Sequence, residues 1–452
     1  MIRPIIDIWL KSCRWRGIST LLLSIAIHAF CGTSRAQEWE YLGLPNQPIS
    51  AIALQDDQTI YVSSPRLLSQ TAGMISKTTN AGATWDTVLY DAGTVDLKMH
   101  PDDSEILYAG LASYYPPYGI LKTTNGGASW FHADSGIHVN SKNQVRVIES
   151  DPAFPETLYA GTSGIFGGDF YKSTNGGWSW TSISGLTLTG GVISVAIDPF
   201  TSSTVYAGTS YQGLFKSTDG GSSWILSLQT NNGIEAIGID PIDSDILYCA
   251  VGNPGSGFHR STDGGVTWSE SITGLTPNKA GGSLAVNKES RDLFVVMFPD
   301  SVGLFKSTDL GITWVRMNGL VADTHVRALT ISPNQTRLYA GISNLGVSQT
   351  TVVVSSVAEE DPFLQSRAML LRNHPNPFNS TTNVEFELPV HSYVSLRIFD
   401  VLGREVSTLV DGEKTSGRHQ VLFDAKGLAS GIYFSRLRAG DHVVTRKMIL
   451  SQ

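Results

Sequence analysis

The chain has 452 residues with 45 Gly and 19 Pro, 41% hydrophobic and only 16% charged residues. This composition describes a turn-rich globular protein and excludes a coiled coil or a disordered chain. With 32 basic against 40 acidic residues and no basic run, nucleic acid and anionic membrane surfaces are excluded as partners.

In chain order, Arg3, Lys11, Arg14 and Arg16 precede an apolar run from Ile18 to Phe30, followed by Ser34, Arg35 and Ala36. Basic start, apolar centre and small-residue end predict a secretory signal peptide over residues 1–36. The run is interrupted by Ser24 and His28 and falls short of the ~20 residues that span a bilayer, so no integral span is expected in the mature chain. Removing this segment takes away five basic residues and one acidic residue, leaving 27 against 39 and a net charge of −12. Cys13 and Cys31 leave with it. Cys249, in the apolar stretch Ile246 to Val251, then has no disulfide partner and is expected to be buried.

Residues 37–351 are a repeat. Ser217 to Trp224 reads Ser-Thr-Asp-Gly-Gly-Ser-Ser-Trp and recurs, with variations, at Thr78, Thr123, Ser173, Ser261 and Ser307; with Trp39, the periodic tryptophans are spaced 44–50 residues apart. Tyr-Ala-Gly keeps the same period at Tyr108, Tyr159, Tyr206 and Tyr339. A step of ~40–50 residues is one four-stranded propeller blade. Trp39 opens an outer strand with no strands of its own before it, whereas Val326 to Thr351 supplies three strands with no Trp after them. The two fragments complete each other, and the expected fold is all-β, a seven-bladed β-propeller whose last blade is closed by residues 38–44.

The Ser-x-Asp-x-Gly-x-x-Trp turn resembles the Asp-box of bacterial neuraminidase repeats, shared by sialidases, xyloglucanases, sortilin ectodomains and photosystem II assembly factors. The resemblance covers six of the seven blades. It implies the propeller fold and leaves function open, because those families do unrelated things. Asp219, Asp263 and Asp309 are read as turn carboxylates that accept backbone N–H groups.

Residues 352–369 read as a linker. After it, Asn376-Pro-Phe-Asn379, the alternating Val384, Phe386 and Leu388, and short strands around Leu396, Phe423 and Tyr433 predict a C-terminal Ig-like β-sandwich over 370–452. Together with Phe399 to Val406, Gly431 to Phe434 and Arg446 to Leu450, this segment resembles the C-terminal sorting domain of type IX secretion cargo. The resemblance implies a route through the periplasm to the outer surface or the medium, with the secretion machinery as partner.

In such a ring the repeated turns share one face, and the connections that vary between blades share the other, where function is expected. Candidate ligand-binding residues there are Tyr114, Tyr115 and Tyr118, held by Pro116 and Pro117, with Tyr211, and the charged Arg146, Glu235 and Arg327 at the starts of inner strands. The tyrosines suit stacking on a sugar or peptide, or plugging of the ring. A sialidase resemblance implies three converging arginines, and only Arg146 and Arg327 start inner strands. A xyloglucanase resemblance implies two tandem propellers, and one ring is present. No metal spacing, nucleophile motif or phosphate-cradling loop occurs, so no catalytic residue, cofactor or metal is assigned. Two classes stay open: a monomeric binding scaffold for a glycan or protein, favoured here, and a glycoside hydrolase whose paired acids would come from Asp96, Asp169, Glu235 and Asp323.

Overall fold

A computed structural model describes residues 39–352 and 369–451, apart from 66–72, 113–117, 139–142, 165–166, 187–189, 253–256, 276–279, 299–302, 321–325, 344, 375–377, 389, 401–403 and 440–441. The expected signal peptide (1–36) and most of the linker therefore lie outside the described residues. No helix among the described residues is long and apolar enough to cross a membrane.

Seven four-stranded antiparallel sheets form the ring. Blade four is representative: inner strand Val192–Ile197, second strand Val205–Thr209, third strand Leu214–Ser217 and outer strand Ile225–Leu228. Blade seven joins Val326–Ile331, Arg337–Ile342 and Gly346–Thr351 to Glu40–Gly43, which pairs antiparallel with the last of these. The ring is thus a seven-bladed propeller closed as the complementary fragments required. Leu42, buried in that closing strand, packs in one cluster with Ile49, Ile52, Tyr339 and Val347.

Two staples made by repeat residues tie neighbouring blades together. In four seams the buried Tyr of the second strand and the Lys of the third donate to one carbonyl, that of the first Gly in the next blade's turn. Tyr61 and Lys77 meet Gly126 O, both at 3.0 Å, and Tyr108 and Lys122 meet Gly176 O at 3.1 and 2.9 Å. Tyr159 and Lys172 meet Gly220 O, and Tyr206 and Lys216 meet Gly264 O. Each Lys also lies over its Tyr ring, with Nζ 5.0–5.5 Å from the centroid. The carbonyl faces the seam because its glycine has positive φ, 62° at Gly126 and 69° at Gly264. On the outer side, Trp85 Nε1 donates to Leu42 O of the preceding blade's outer strand at 2.8 Å, and Trp180 Nε1 to Ala133 O, just past that strand in its own preceding blade, at 2.9 Å.

Between blades five and six the inner staple fails. Leu310 takes the place of the turn's first glycine there, as Ala81 does in blade one, and the buried Tyr248 hydroxyl and Arg260 Nε donate to no turn carbonyl. Cys249 is buried in the same blade, and burial pushes its thiol pKa far up, so it is inert packing.

The turns themselves are built as expected. Asp219 accepts from Ser217 Oγ, Ser223 N and Ser223 Oγ at 2.6–2.8 Å, and these bonds, led by the Ser223 hydroxyl, hold its carboxyl down at about 2. Asn125 makes the corresponding bonds to Thr123 and Ser129 with an amide. The turn needs the side-chain oxygen and not the charge.

The C-terminal unit is a sandwich of a three-stranded sheet (Met369–His374, Thr381–Leu388, Gly417–Asp424) on a four-stranded one (Glu405–Lys414, Ser392–Asp400, Gly431–Ala439, His442–Leu450). Val384, Phe386, Leu396, Ile398, Phe423 and Met448 fill its core. Phe378 is buried there too, and its backbone clamps the end of the last strand: Phe378 N donates to Ile449 O at 2.9 Å and Ser451 N to Phe378 O at 2.8 Å.

Candidate functional site

The inner strands do not run straight into the channel. In blades two, three, four, five and seven the register slips by one residue near the strand start, leaving Val95, Arg146, Ile193, Glu235 and Arg327 unpaired between paired neighbours. In blade six Gly282 and Ser283 together lie between the paired residues Gly281 and Leu284. A β-bulge bends its strand and re-aims the extra side chain. The Gly of Tyr-Ala-Gly is needed beside it: a Cβ on Gly161 would lie 2.5 Å from Val192 O, and one on Gly341 2.6 Å from Ile49 Cγ2.

All these bulged residues line one cavity of about 760 Å³ at the channel mouth, on the face away from the repeated turns. Arg146, Glu235 and Arg327, which the sequence reading singled out, meet there. Arg146 Nη2 lies 3.9 Å from Glu235 Oε2, and Arg327 Nε donates to Ser343 Oγ at 2.7 Å. Asp96 and Glu149 are the other acids lining the cavity among the described residues. Glu149 is ion-paired with Lys98 across the seam between blades two and three. The Asp96 carboxylate accepts Ile148 N at 2.7 Å; burial pushes its pKa up to about 6, with Glu149 acting in the same direction and the Ile148 bond and Lys98 against it. Asp96 occupies a position that bridges blades elsewhere by a hydroxyl: Ser194 Oγ donates to Ile234 O at 2.6 Å and Ser283 Oγ to Arg327 O at 2.8 Å. Deeper in the channel, Leu284 and Leu329 also line a second, smaller cavity of about 520 Å³.

Of the tyrosine candidates among the described residues, neither Tyr118 nor Tyr211 joins this group. Tyr114 and Tyr115 lie outside the described residues, as does Asp323. Tyr118 is half-buried and does not line the cavity. Tyr211 is exposed and its ring covers Gly190, where a Cβ would lie 2.5 Å from Tyr211 Cδ2. Asp169 accepts the Tyr171 hydroxyl at 3.1 Å. Lys98 and Glu149 were missed by the sequence reading. Aligning the blades reveals them, because both stand opposite the periodic Tyr, where blades one, four, five and six carry Ala53, Ala196, Gly238 and Ala285. Among the described residues no cluster of His, Cys, Asp or Glu could hold a metal ion.

Comparison with known proteins agrees with this architecture. Residues 373–451 match the family model of the secretion system C-terminal sorting domain. Among curated proteins, a xyloglucanase of Hypocrea jecorina is 30% identical over 169 residues, 32% of this chain and 20% of that protein. A xyloglucanase of a Paenibacillus species is 28% identical over 136 residues, 25% of this chain and 13% of that protein. The chain thus spans a small fraction of the curated relatives it matches. Among solved structures, YCF48 from Cyanidioschyzon merolae superposes with a TM-score of 0.52 at 17% identity, covering 70% of this chain and 98% of that one. The GH74 enzyme of Niastella koreensis does so with 0.55 at 16%, covering 92% and 75%. At these identities the likeness concerns the fold. The chain is therefore a β-propeller joined to a type IX secretion C-terminal sorting domain, exported to the cell surface or the medium.

Proposed function

We propose that the propeller is an exported binding module, its turns Asp-boxes of the bacterial neuraminidase repeat type, and that its ligand, a glycan or another protein, occupies the cavity at the channel mouth. Residues 1–36 direct it to the periplasm, and 370–452 act as the address for the last step. The observation that carries the binding reading is the engagement of each acid that lines the cavity among the described residues: Glu149 with Lys98, Glu235 with Arg146, and Asp96 with Ile148 N. Glycoside hydrolysis usually uses two acids ~5–10 Å apart across the scissile bond, one nucleophile or base and one proton donor. A carboxylate held by a cation or a backbone N–H is poorly placed for either task.

A second reading, a glycoside hydrolase working in the same cavity, is favoured by one feature, the Asp96 carboxyl raised to about 6, the range of a proton donor at neutral pH. The limited likeness to xyloglucanases supports it as well. The two readings separate in one experiment, a glycan array followed by reducing-sugar release on every glycan bound. The binding reading expects retention without release; turnover that disappears in Asp96→Asn establishes the hydrolase instead.

A further inference from the structure

We infer that the turn face of blades four and five is a docking surface for the chain's own sorting domain, and that Arg446 is the side chain that seats it. Arg446 belongs to His442–Leu450, the edge strand of the four-stranded sheet. Its Nη2 donates to Ile242 O at 2.8 Å and lies 3.8 Å from Asp243 Oδ1, and its guanidinium carbon stands 5.5 Å from the centre of the Phe200 ring. Ile242 and Asp243 lie in the turn between Ile234–Ile239 and Leu247–Val251 of blade five, and Phe200 in the same turn of blade four, between Val192–Ile197 and Val205–Thr209. The arginine thus enters a notch between two neighbouring blades and keeps only 18% of its side chain exposed.

The notch has the chemistry of a guanidinium site. It offers a backbone carbonyl, an aromatic face and carboxylates, and a guanidinium is a planar fork of donors that stacks on rings and sheds water more readily than an ammonium. The walls are fixed by bonds that do not involve the arginine. Asp198 Oδ1 accepts Phe200 N at 2.8 Å and Thr201 N at 3.1 Å, and Asp240 Oδ1 accepts Ile242 N at 3.0 Å and Asp243 N at 2.9 Å. A seat held in shape beforehand costs less to occupy.

Charge points the same way. Residues 37–352 carry 16 basic and 28 acidic residues, whereas 369–452 carry ten basic and eight acidic, so an acidic ring faces a slightly basic domain. Locally, burial raises the pKa of Asp198, and burial together with Asp243 raises that of Asp245; the charge of Arg446 acts against the rise in both. Arg446 also lies within the segment that matches the sorting-domain model, so the last strand of that domain is held by its own cargo. The channel mouth, on the opposite face of the ring, stays open.

The test uses the full chain in two measurements. Small-angle X-ray scattering should show a longer maximum dimension for Arg446→Ala than for the parent, because losing the charged hydrogen bond lowers the ratio of docked to released domain about tenfold or more. Thr445→Ala, at the exposed neighbour on the same strand, should scatter like the parent. Asp243→Lys alters only the propeller side and should extend the molecule as Arg446→Ala does, which decides the matter if Arg446→Ala unfolds the sorting domain. In the second measurement Arg446→Lys is treated with a carbodiimide, which joins an amine only to a carboxylate in contact with it, and the peptides are identified by mass spectrometry. The introduced amine should be joined to Asp243 or Asp245 of the same molecule. Parent-like scattering of both Arg446→Ala and Asp243→Lys, a link to a different carboxylate of the propeller, links between two molecules, or no link at all would each overturn the inference.

Discussion

Removing one hydroxyl at a stapled seam and the corresponding hydroxyl at the unstapled one should have opposite consequences. In Tyr108→Phe the protein loses the 3.1 Å bond to Gly176 O, but that carbonyl keeps Lys122 Nζ at 2.9 Å, so no acceptor is orphaned. The expected loss is the net worth of one neutral hydrogen bond, about 1 kcal/mol. With an unfolding entropy of ~2.1 cal/mol/K per residue over a ring of about 300 residues, that lowers the midpoint of the propeller transition by roughly 1.5 °C. Adding Lys122→Met strips the carbonyl of its second donor, and the double variant should lose about 1–3 kcal/mol more than the two single losses combined. Tyr248→Phe is the control. Its buried hydroxyl donates to no turn carbonyl and has only the Asp240 carboxylate near it, which Arg291 already holds at 2.8 Å. Deleting it should be neutral or stabilising by up to about 1 kcal/mol. Urea and thermal unfolding of the four variants, followed by tryptophan fluorescence, measure all of this. Equal destabilisation by Tyr108→Phe and Tyr248→Phe would refute the staple as the reason for the repeated Tyr and Lys.

Asp96 supplies a pH signature. Its folded pKa of about 6 lies above the usual 3.8, so the folded chain binds the proton more tightly than the unfolded one, and stability falls as pH rises through that window. Asp96→Asn should therefore be more stable than the parent at pH 7, by up to about 3 kcal/mol, with the advantage gone near pH 4; an unchanged difference at the two pH values sinks this assignment. Leu42→Ala in the closing strand should cost about 2–5 kcal/mol in urea unfolding of the propeller, and a loss below about 1 kcal/mol would mean that the ring does not depend on this strand. Phe378→Ala should lower only the sorting-domain transition, by about 3–5 kcal/mol, and a concerted loss in both units would contradict their separate cores. Deletion of 446–452 in a bacterium with the type IX machinery should leave the protein in the periplasm; normal appearance at the surface would refute the address.

The ring was legible because its scaffold residues are selected for the same geometry six or seven times over. Each Trp, each Tyr-Ala-Gly and each turn glycine answers one local demand, and the missing pieces at Trp39 and Thr351 named the closing strand. Arg146, Glu235 and Arg327 could be picked out because they begin inner strands where blades two and four carry Val95 and Ile193. The bulges that gather them could not be read, since a one-residue register slip leaves no mark in the alternation of a short, mostly apolar strand. Lys98 and Glu149 escaped for a related reason. Their pairing is between blades, and only superposing the repeats shows that two adjacent blades put opposite charges where a small residue suffices. Tyr118 and Tyr211 stay out of the mouth because stacking capacity is a property of the residue, whereas arrival there is a property of the backbone that carries it.

The clamp between Phe378 and the last strand has a bearing on how the export address is read. Ile449 and Ser451 are held by a segment that precedes them by most of the domain, and Leu450 shares its core with that segment. The matched domain is consequently a closed unit and not a linear segment. Its shape is complete only when Ile449 to Ser451 have docked against Phe378, so a misfolded domain lacks it. A graft that carries the last strand to another cargo without the Phe378 segment transfers the letters and leaves the shape behind.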